Sequence, residues 1–199
     1  MTRRPMLGCL LEIAETLALT LIIFFVIQTF VAQPYKVQQK SMQHTLEPEQ
    51  YVLVDKLTPR FDTYKRGDIV VFTPPEDWVQ EDNTPFIKRV IGLGGDTVDI
   101  RDGNVYINDT QIDEPYLYAE PQSAPPQPTT VQGDQHSWVI ADGDLFLMGD
   151  HRSNSEDSRT FGPVGVSQVI GRAWLRYWPL DTFGILPTPT YPELVASSP

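Results

Sequence analysis

The sequence predicts a mainly β protein, in which a single N-terminal transmembrane helix precedes an antiparallel β-sheet domain. Residues 16–32 carry no charge, whereas the apolar residues further on come in short β-branched runs between turn residues. No long stretch after residue 32 has the 3.6-residue period of an amphipathic helix. A chain of 199 residues with 41% hydrophobic side chains suffices for one folded unit plus an attached segment, which excludes wholesale disorder.

Residues 6–32 form the predicted membrane span. The uncharged run at 16–32 and its flank, interrupted only by Glu12 and Glu15, reach the roughly 20 residues that a spanning helix needs. A cleavable signal has a shorter apolar core and a small residue where Phe30 stands here. A buried core helix would need more surrounding chain than this sequence offers. We therefore interpret the segment as a permanent signal-anchor, with the cleavable signal and the core helix as alternatives.

Charges near the span predict its orientation. Arg3 and Arg4 favour a cytoplasmic tail at residues 1–5 and an extracytoplasmic domain at residues 33–199, although Lys36 and Lys40 weaken the asymmetry. The expected location is the plasma (inner) membrane, crossed once.

The net charge of −11 falls on the outer domain and argues against a nucleic-acid partner. Cys9 is the only cysteine, so no intramolecular disulfide and no cysteine-based zinc site is possible.

Turn residues divide the outer domain into short strands. Asp-Gly pairs at residues 101–104 and 141–144 each lie between two apolar runs and predict two hairpins. We expect residues 97–143 to be a hairpin-rich insertion, with an exposed Pro-rich loop at 115–130, and residues 178–199 to be a Pro-rich tail. The predicted strands are residues 51–54, 68–72, 86–91, 98–100, 105–107, 138–140, 145–148 and 169–177.

The three histidines give no sign of a metal centre. His44, His136 and His151 are far apart and lack ligand spacing. We therefore expect neither a metal nor a cofactor.

Four stretches carry a more specific signal, and they are SMQHTL (41–46), KRGDIVVF (65–72), FIKRVIGLGGD (86–96) and GDHRSNSEDSRTFG (149–162). Their order and spacing resemble the type I signal peptidases (leader peptidases), which are serine proteases with a lysine base. The resemblance runs from the anchor to about residue 174. It implies an antiparallel β catalytic domain of the signal-peptidase type and an endopeptidase that removes signal peptides from exported preproteins after a small-x-small (Ala-x-Ala-like) site. The implied partners are signal peptides, membrane lipid and a nearby protein-export channel.

The resemblance assigns the nucleophile to Ser41 and the general base to Lys88. A serine hydroxyl needs an adjacent base, and lysine can be that base if burial lowers its pKa. Lys88 lies in an apolar strand, where by itself it would be interpreted as an edge charge that discourages sheet pairing. Lys40 is the rival base, but we expect it to face away from Ser41 because neighbouring strand side chains alternate.

Further roles follow by the same resemblance. Ser155 would orient the lysine, while Asp157 and Arg159 would form a structural ion pair with Arg89 nearby. The backbone N–H of Ser41 would be one oxyanion donor and the Gln39 amide the candidate second one. The residues matching small substrate pockets, which would also be β-core, are Tyr35, Val37, Met42, Leu46, Val52, Val71, Phe86 and Ile87.

Several positions depart from the family pattern. Gln39 stands where a serine is common, Lys40 replaces a small or polar residue, His44 replaces proline, Gly94 replaces proline in Leu-Pro-Gly, and Glu49-Gln50 replaces a Gly-Asp turn. These changes concern loop stiffness and rate, and they leave the Ser–Lys pairing intact. Two alternatives remain: a Ser–Lys peptidase of the same fold dedicated to one substrate, and an inactive anchored β-domain that binds peptides.

Overall fold

The computed structural model describes residues 4–76, 78, 84–121 and 124–196. Residues 1–3 of the predicted tail, including Arg3, and residues 197–199 of the Pro-rich tail lie outside the described residues, as do residues 122–123 of the Pro-rich loop. The described part consists of an N-terminal helix followed by two antiparallel sheets. The prediction of a mainly β fold after one apolar helix is therefore confirmed.

The N-terminal helix α1 (Arg4–Val26) continues as a π-helical turn over Ile27–Val31. The segment Gly8–Val31 has 24 residues and a mean hydropathy of 2.3, which is long and apolar enough to cross a membrane. None of its most apolar stretch is buried against the rest of the protein, so this helix is not the core of the β domain. Ala32, predicted to end the span, instead begins the first strand.

The described residues contain twelve strands, which form a larger and a smaller sheet. In chain order they are β1 (Ala32–Lys36), β2 (Tyr51–Asp55), β3 (Ile69–Phe72), β4 (Phe86–Leu93), β5 (Thr97–Arg101), β6 (Asn104–Ile107), β7 (Thr110–Gln111), β8 (Ser137–Val139), β9 (Asp144–Met148), β10 (Val164–Gly165), β11 (Val169–Trp178) and β12 (Gly184–Ile185). The larger sheet has the order β1-β2-β11-β3-β4-β9-β10, with β12 paired to β11, and the smaller one has the order β7-β6-β5-β8. Two short helices, α2 (Ser158–Phe161) and α3 (Pro192–Ala196), complete the described fold.

Strand β4 lies inside the larger sheet, between β3 and β9, and its residues are buried from Phe86 to Gly92. In the register, Lys88 is opposite Val70 of β3, and Arg89 is opposite both Ile69 of β3 and Met148 of β9. Because side chains alternate along a strand, Lys88 and Arg89 point to opposite faces of the sheet. The Lys88 amine and the Arg89 guanidinium therefore lie on opposite faces of the larger sheet.

One of the two predicted hairpins is present, and the prediction of the other is wrong. Strands β5 and β6 pair across residues 101–104, where Gly103 takes the positive φ of 81° that such a turn needs. Strand β8, however, pairs with β5, whereas β9 pairs with β4 in the other sheet. Trp138 of β8 and Phe146 of β9 pack with ring centroids 5.0 Å apart in a core shared by both sheets. The turn at residues 141–144 thus passes the chain from one sheet to the other.

The Pro-rich loop is less exposed than predicted. Residues 115–121 and 124–130 contain no helix or strand, but Tyr116 and Thr129 are buried. The Arg89 guanidinium lies 4.0 Å from the centre of the Tyr116 ring, and the Thr129 hydroxyl accepts a hydrogen bond of 2.5 Å from Arg152. The loop is held down because it covers two buried arginines.

Candidate active site

The hydroxyl of Ser41 and the amine of Lys88 are in contact. Lys88 Nζ donates a hydrogen bond of 2.7 Å to Ser41 Oγ. Ser41 begins a single helical turn after β1, in which the Leu46 N–H donates to the Met42 carbonyl at 2.7 Å. Both residues are buried, with 4% of Ser41 and 1% of Lys88 exposed. The structure thus brings together two residues that are 47 positions apart in the chain.

Burial sets the charge state of the Lys88 amine. Loss of hydration lowers the pKa of Lys88 from 10.5 to about 8, even though the negative charge of Asp157 works in the opposite direction. At pH 7 about one amine in ten is then neutral, against about one in 3,000 at the ordinary pKa. A neutral amine within hydrogen-bond distance of a serine hydroxyl is chemically able to accept the hydroxyl proton.

Asp157 organises the wall beside the dyad. Its carboxylate accepts hydrogen bonds from Arg159 Nε (2.8 Å), Ser155 Oγ (2.6 Å) and the Gly149 N–H (3.0 Å). Burial opposes ionisation of this carboxyl, but the hydrogen bonds and charge of Arg159 outweigh burial and hold the pKa of Asp157 below its usual range. Among the described residues, the Ser155 hydroxyl has no hydrogen bond to Lys88, although both side chains line the same cleft. Ser155 is therefore brought to the cleft with its hydroxyl turned to Asp157.

Gly149 is a site residue that the sequence reasoning did not single out. A Cβ atom at this position would collide with the Ser155 hydroxyl and with the carbonyl oxygen of Ser41. Only glycine lets both segments approach the end of β9 so closely. The available signal was its place as the first residue of the stretch at 149–162.

Arg89 does not join the ion pair of Asp157 and Arg159. It pairs instead with Asp150 through two hydrogen bonds of 2.8 and 2.7 Å, and at most 1% of either side chain is exposed. The same carboxylate accepts the Thr45 hydroxyl at 2.5 Å. The physical reason is strand alternation, which turns Arg89 away from the face that carries Lys88. The resulting network of Arg89, Asp150 and Thr45 joins β4 to the turn that carries Ser41.

The two candidate oxyanion donors border the cleft differently. Within the part of the chain that the structure describes, the backbone N–H of Ser41 has no acceptor. Gln39 is exposed and lines the cleft next to Ser41. Lys40 is exposed and borders the cleft, and residues 37–40 do not belong to a strand, so the alternation expected of strand side chains does not apply there. Among described residues it makes no hydrogen bond to Ser41, so Lys88 alone contacts the hydroxyl.

Two adjoining depressions form a groove at the dyad. A cavity of about 580 Å³ contains Ser41 and Lys88, and Gln38 and Gln39 join it to a smaller cavity of about 170 Å³. Of the predicted pocket residues, Phe86 lines the larger cavity, and the smaller one is lined by Tyr35, Val37, Val52, Val71 and Ile87.

Met42 and Leu46 are exceptions to the predicted pocket lining. They are fully buried in the core and line neither cavity. Their spacing of four places both side chains on the inner side of one helical turn.

The described residues include no group of three or more metal-ligating side chains.

The chain is similar in sequence to known proteins over most of its length. The sequence pattern of a family described as "Signal peptidase, peptidase S26" matches residues 10–178. The protein is therefore a serine peptidase, a hydrolase. More particularly, the chain belongs to the signal peptidase family, peptidase S26.

Individual relatives cover most of the chain. It is similar to a probable signal peptidase I-2 of Synechocystis sp., at 35% identity over 190 residues that cover 95% of this chain and 83% of the relative. It is 39% identical over 190 residues to a signal peptidase I of Leptolyngbya laminosa, covering 92% and 87% of the two chains. A crystal structure of a signal peptidase I from Enterococcus faecalis V583 matches with 31% identity and a TM-score of 0.45, covering 56% of this chain and 97% of that one.

Proposed function

We propose that this signal peptidase cleaves signal peptides from exported preproteins with Ser41 as nucleophile and Lys88 as general base. The hydrogen bond of 2.7 Å between Lys88 Nζ and Ser41 Oγ carries the proposal. It is supported by the lowered pKa of Lys88, since a base must be neutral to accept a proton.

Acylation would begin with neutral Lys88. The amine takes the Ser41 proton as Oγ attacks the carbonyl carbon of the scissile bond, and the carbonyl oxygen becomes an oxyanion. The N–H of Ser41, which has no acceptor among the described residues, is a donor for that oxyanion, and the Gln39 amide is the candidate second donor. When the C–N bond breaks, the Lys88 ammonium returns the proton to the leaving amine. The mature protein departs and the signal peptide stays esterified to Ser41.

Deacylation would use the same base. Lys88 takes a proton from a water molecule, the hydroxide attacks the ester carbonyl, and Ser41 leaves with the proton that Lys88 returns. Buried Asp157 and Arg159 and half-buried Ser155 form the wall beside this amine, which supports a role in holding its surroundings in place.

The groove supports a preference for small side chains before the cleaved bond. An extended peptide would lie along residues 38–39 and 84–85, which border the smaller cavity, in the manner of an added strand. A volume of about 170 Å³ is well below the range of about 300–1,000 Å³ that drug-sized ligands occupy. Apolar walls with so little space favour alanine-sized side chains, as in an Ala-x-Ala-like site.

The apolar helix supports a membrane-anchored enzyme. The segment Gly8–Val31 leads directly into β1, whose neighbours in the sheet are β2 and then β11. Large apolar side chains are exposed on β11 and just beyond it, with Trp178, Leu180, Phe183 and Ile185 each at least 51% exposed. Such a surface near the anchor favours contact with lipid. We propose that the domain lies on the extracytoplasmic side of the plasma (inner) membrane, near the export channel that delivers its substrates.

The test uses the full-length protein in detergent with a purified preprotein that carries a small-x-small site. The variants are Ser41→Ala and Lys88→Met, with Lys40→Met as the matched control, since Lys40 is an exposed lysine beside the nucleophile. We expect both dyad variants to lose activity by about 10²- to 10⁴-fold or more, and Lys40→Met to keep it.

Four outcomes would contradict parts of the proposal. Cleavage by Lys88→Met at the wild-type rate would remove Lys88 as the base, and loss of activity in Lys40→Met would favour the rival. An inert wild type that still binds the preprotein would favour a peptide-binding domain. Cleavage of one preprotein alone out of several would favour a dedicated peptidase.

A further inference from the structure

One histidine, His151, lies against the turn that carries the nucleophile. We call residues 40–46 the nucleophile turn. The His151 N–H donates to the Ser41 carbonyl at 3.0 Å, and its ring Nδ1 is 3.0 Å from Gln43 Oε1. The ring stacks on Tyr118, with centroids 4.0 Å apart and planes 26° from parallel. The imidazole is therefore held on one side by stacking and on another by a polar contact with the turn.

The neighbours of Gln43 determine which ring nitrogen carries the proton. The Gln43 amide nitrogen donates to a carboxylate oxygen of Glu47 at 3.0 Å, so its oxygen is the atom that faces His151. A hydrogen bond at 3.0 Å then requires a proton on Nδ1. Burial lowers the pKa of His151 against the charges of Glu120 and Glu47 and the backbone of Lys40, which favour the protonated ring. The contact needs only the neutral Nδ1–H tautomer.

These contacts fix the peptide groups on both sides of Ser41. The Gln43 N–H donates to the Lys40 carbonyl at 3.1 Å on one side of Ser41, and the backbone N–H of His151 donates to the Ser41 carbonyl at 3.0 Å on the other. Because a trans peptide group is planar, its N–H points opposite to its C=O. Holding the Lys40 carbonyl toward the Gln43 N–H therefore aims the Ser41 N–H in the opposite direction. The Ser41 N–H has no acceptor among the described residues, as noted for the candidate oxyanion donors.

We infer that His151 is a positioning residue, whose imidazole orients the Ser41 N–H as oxyanion donor through Gln43 and the Lys40–Ser41 peptide group. The inference rests on the proposed function, in which that N–H stabilises the oxyanion. His151 touches neither reacting atom, and its effect should fall on the transition state more than on substrate binding.

The central variant is His151→Phe, which keeps a ring to stack on Tyr118 and removes the Nδ1–H. We expect kcat for preprotein cleavage to fall about 10- to 100-fold with little change in KM, because the donor is misdirected rather than deleted. Gln43→Met should give a similar loss, and the double variant should be no worse than either single variant, since both break one hydrogen bond. His136→Phe is the matched control, because His136 is exposed and lies outside the cleft.

Three further measurements separate positioning from a general structural effect. A peptide aldehyde, whose carbonyl adds the Ser41 oxygen to form a tetrahedral adduct, should lose affinity in His151→Phe by the same factor as kcat. The pH at which activity is half-maximal should stay unchanged, since the pKa of Lys88 is not affected. His151→Asn, which retains an amide donor, should recover part of kcat.

The outcomes distinguish this inference from the proposed function. If the wild-type protein does not cleave the preprotein, the proposed function itself is contradicted. A wild type that cleaves while His151→Phe has the same kcat overturns only the inference. A shifted pH midpoint also overturns it, because His151 would then act on the charge of Lys88. If His151→Phe does not fold, Gln43→Met tests the same hydrogen bond, and wild-type kcat in that variant overturns the inference.

Discussion

Replacing Lys88 with methionine should abolish cleavage and make the folded protein more stable at neutral pH. The Lys88 amine is buried and forms no ion pair within the described residues. A fall in pKa from the ordinary 10.5 to about 8 means that folding disfavours the charged amine by roughly 3 kcal/mol. Methionine has a similar shape and no charge, so it avoids this penalty.

The stability difference should depend on pH with a definite sign. Below pH 8 the amine is protonated in both states, and the wild type carries the full penalty. Between pH 8 and 10.5 the unfolded chain binds a proton that the folded one does not, so wild-type stability rises with pH. The Lys88→Met variant also loses the hydrogen bond to Ser41 and the cation–π contact of the amine with the Phe86 ring, whose centre is 5.0 Å away. Together these two contacts contribute about 1–2 kcal/mol. The variant should therefore gain about 1–2 kcal/mol at pH 7 and lose about 1 kcal/mol above pH 10.5.

The assay is urea unfolding in detergent, followed by tryptophan fluorescence, at pH 7 and at pH 10.5. Lys40→Met is the control, because an exposed lysine should show no such pH-dependent difference. A Lys88→Met variant that is less stable than the wild type at pH 7 would refute the reasoning. The Lys88 amine would then be solvated or paired, and burial could not be what lowers its pKa.

Three other predictions follow from the same contacts. Wild-type kcat/KM should rise with pH and level off above about 8, since only the neutral Lys88 amine accepts a proton, and a flat profile from pH 6 to 9 would contradict this. Asp150→Asn should destabilise the protein by about 3–5 kcal/mol in urea unfolding, because it leaves the buried Arg89 guanidinium without a countercharge, and a loss below 1 kcal/mol would contradict this. His44→Gly should raise stability by about 1 kcal/mol in the same assay, since His44 has a φ of 84°, whereas His44→Pro, which cannot adopt that angle, should lower it.

Local sequence signals predicted the strands better than their pairing. The run that became β4 was recognisable because four of its first six residues are apolar and three of those are β-branched, although Lys88 and Arg89 lie among them. The turn at residues 141–144 has the same Asp-Gly signal as the true hairpin, but a turn does not specify whether its flanking strands pair. That choice depended on packing between Trp138 and Phe146 and on the pairing of β8 with β5, which are contacts distant in sequence.

The candidate site shows the same division between local and distant information. The stretches that resemble signal peptidases indicated Ser41 and Lys88, but their contact depends on the segment at 149–151, which lies against Ser41. The resemblance placed Arg89 near the ion pair of Asp157 and Arg159, whereas strand alternation along β4 turns Arg89 to the opposite face, where it pairs with Asp150. The hydrogen bond of the Ser155 hydroxyl to Asp157 could not be predicted, because it depends on the fold of residues 155–159 around one carboxylate.

The ion pair beside the dyad has an electrostatic consequence for the base. Asp157 raises the pKa of Lys88 and Arg159 lowers it. Burial lowers it as well, and its effect is larger than that of either charge. An unpaired carboxylate at Asp157 would raise the pKa of Lys88 and make the neutral amine scarcer at neutral pH. Arg159 binds that carboxylate at 2.8 Å and its own charge lowers the pKa of Lys88, so the guanidinium opposes the effect of Asp157. The pair therefore keeps the buried amine neutral enough to act, at the same time as it anchors the wall of the cleft.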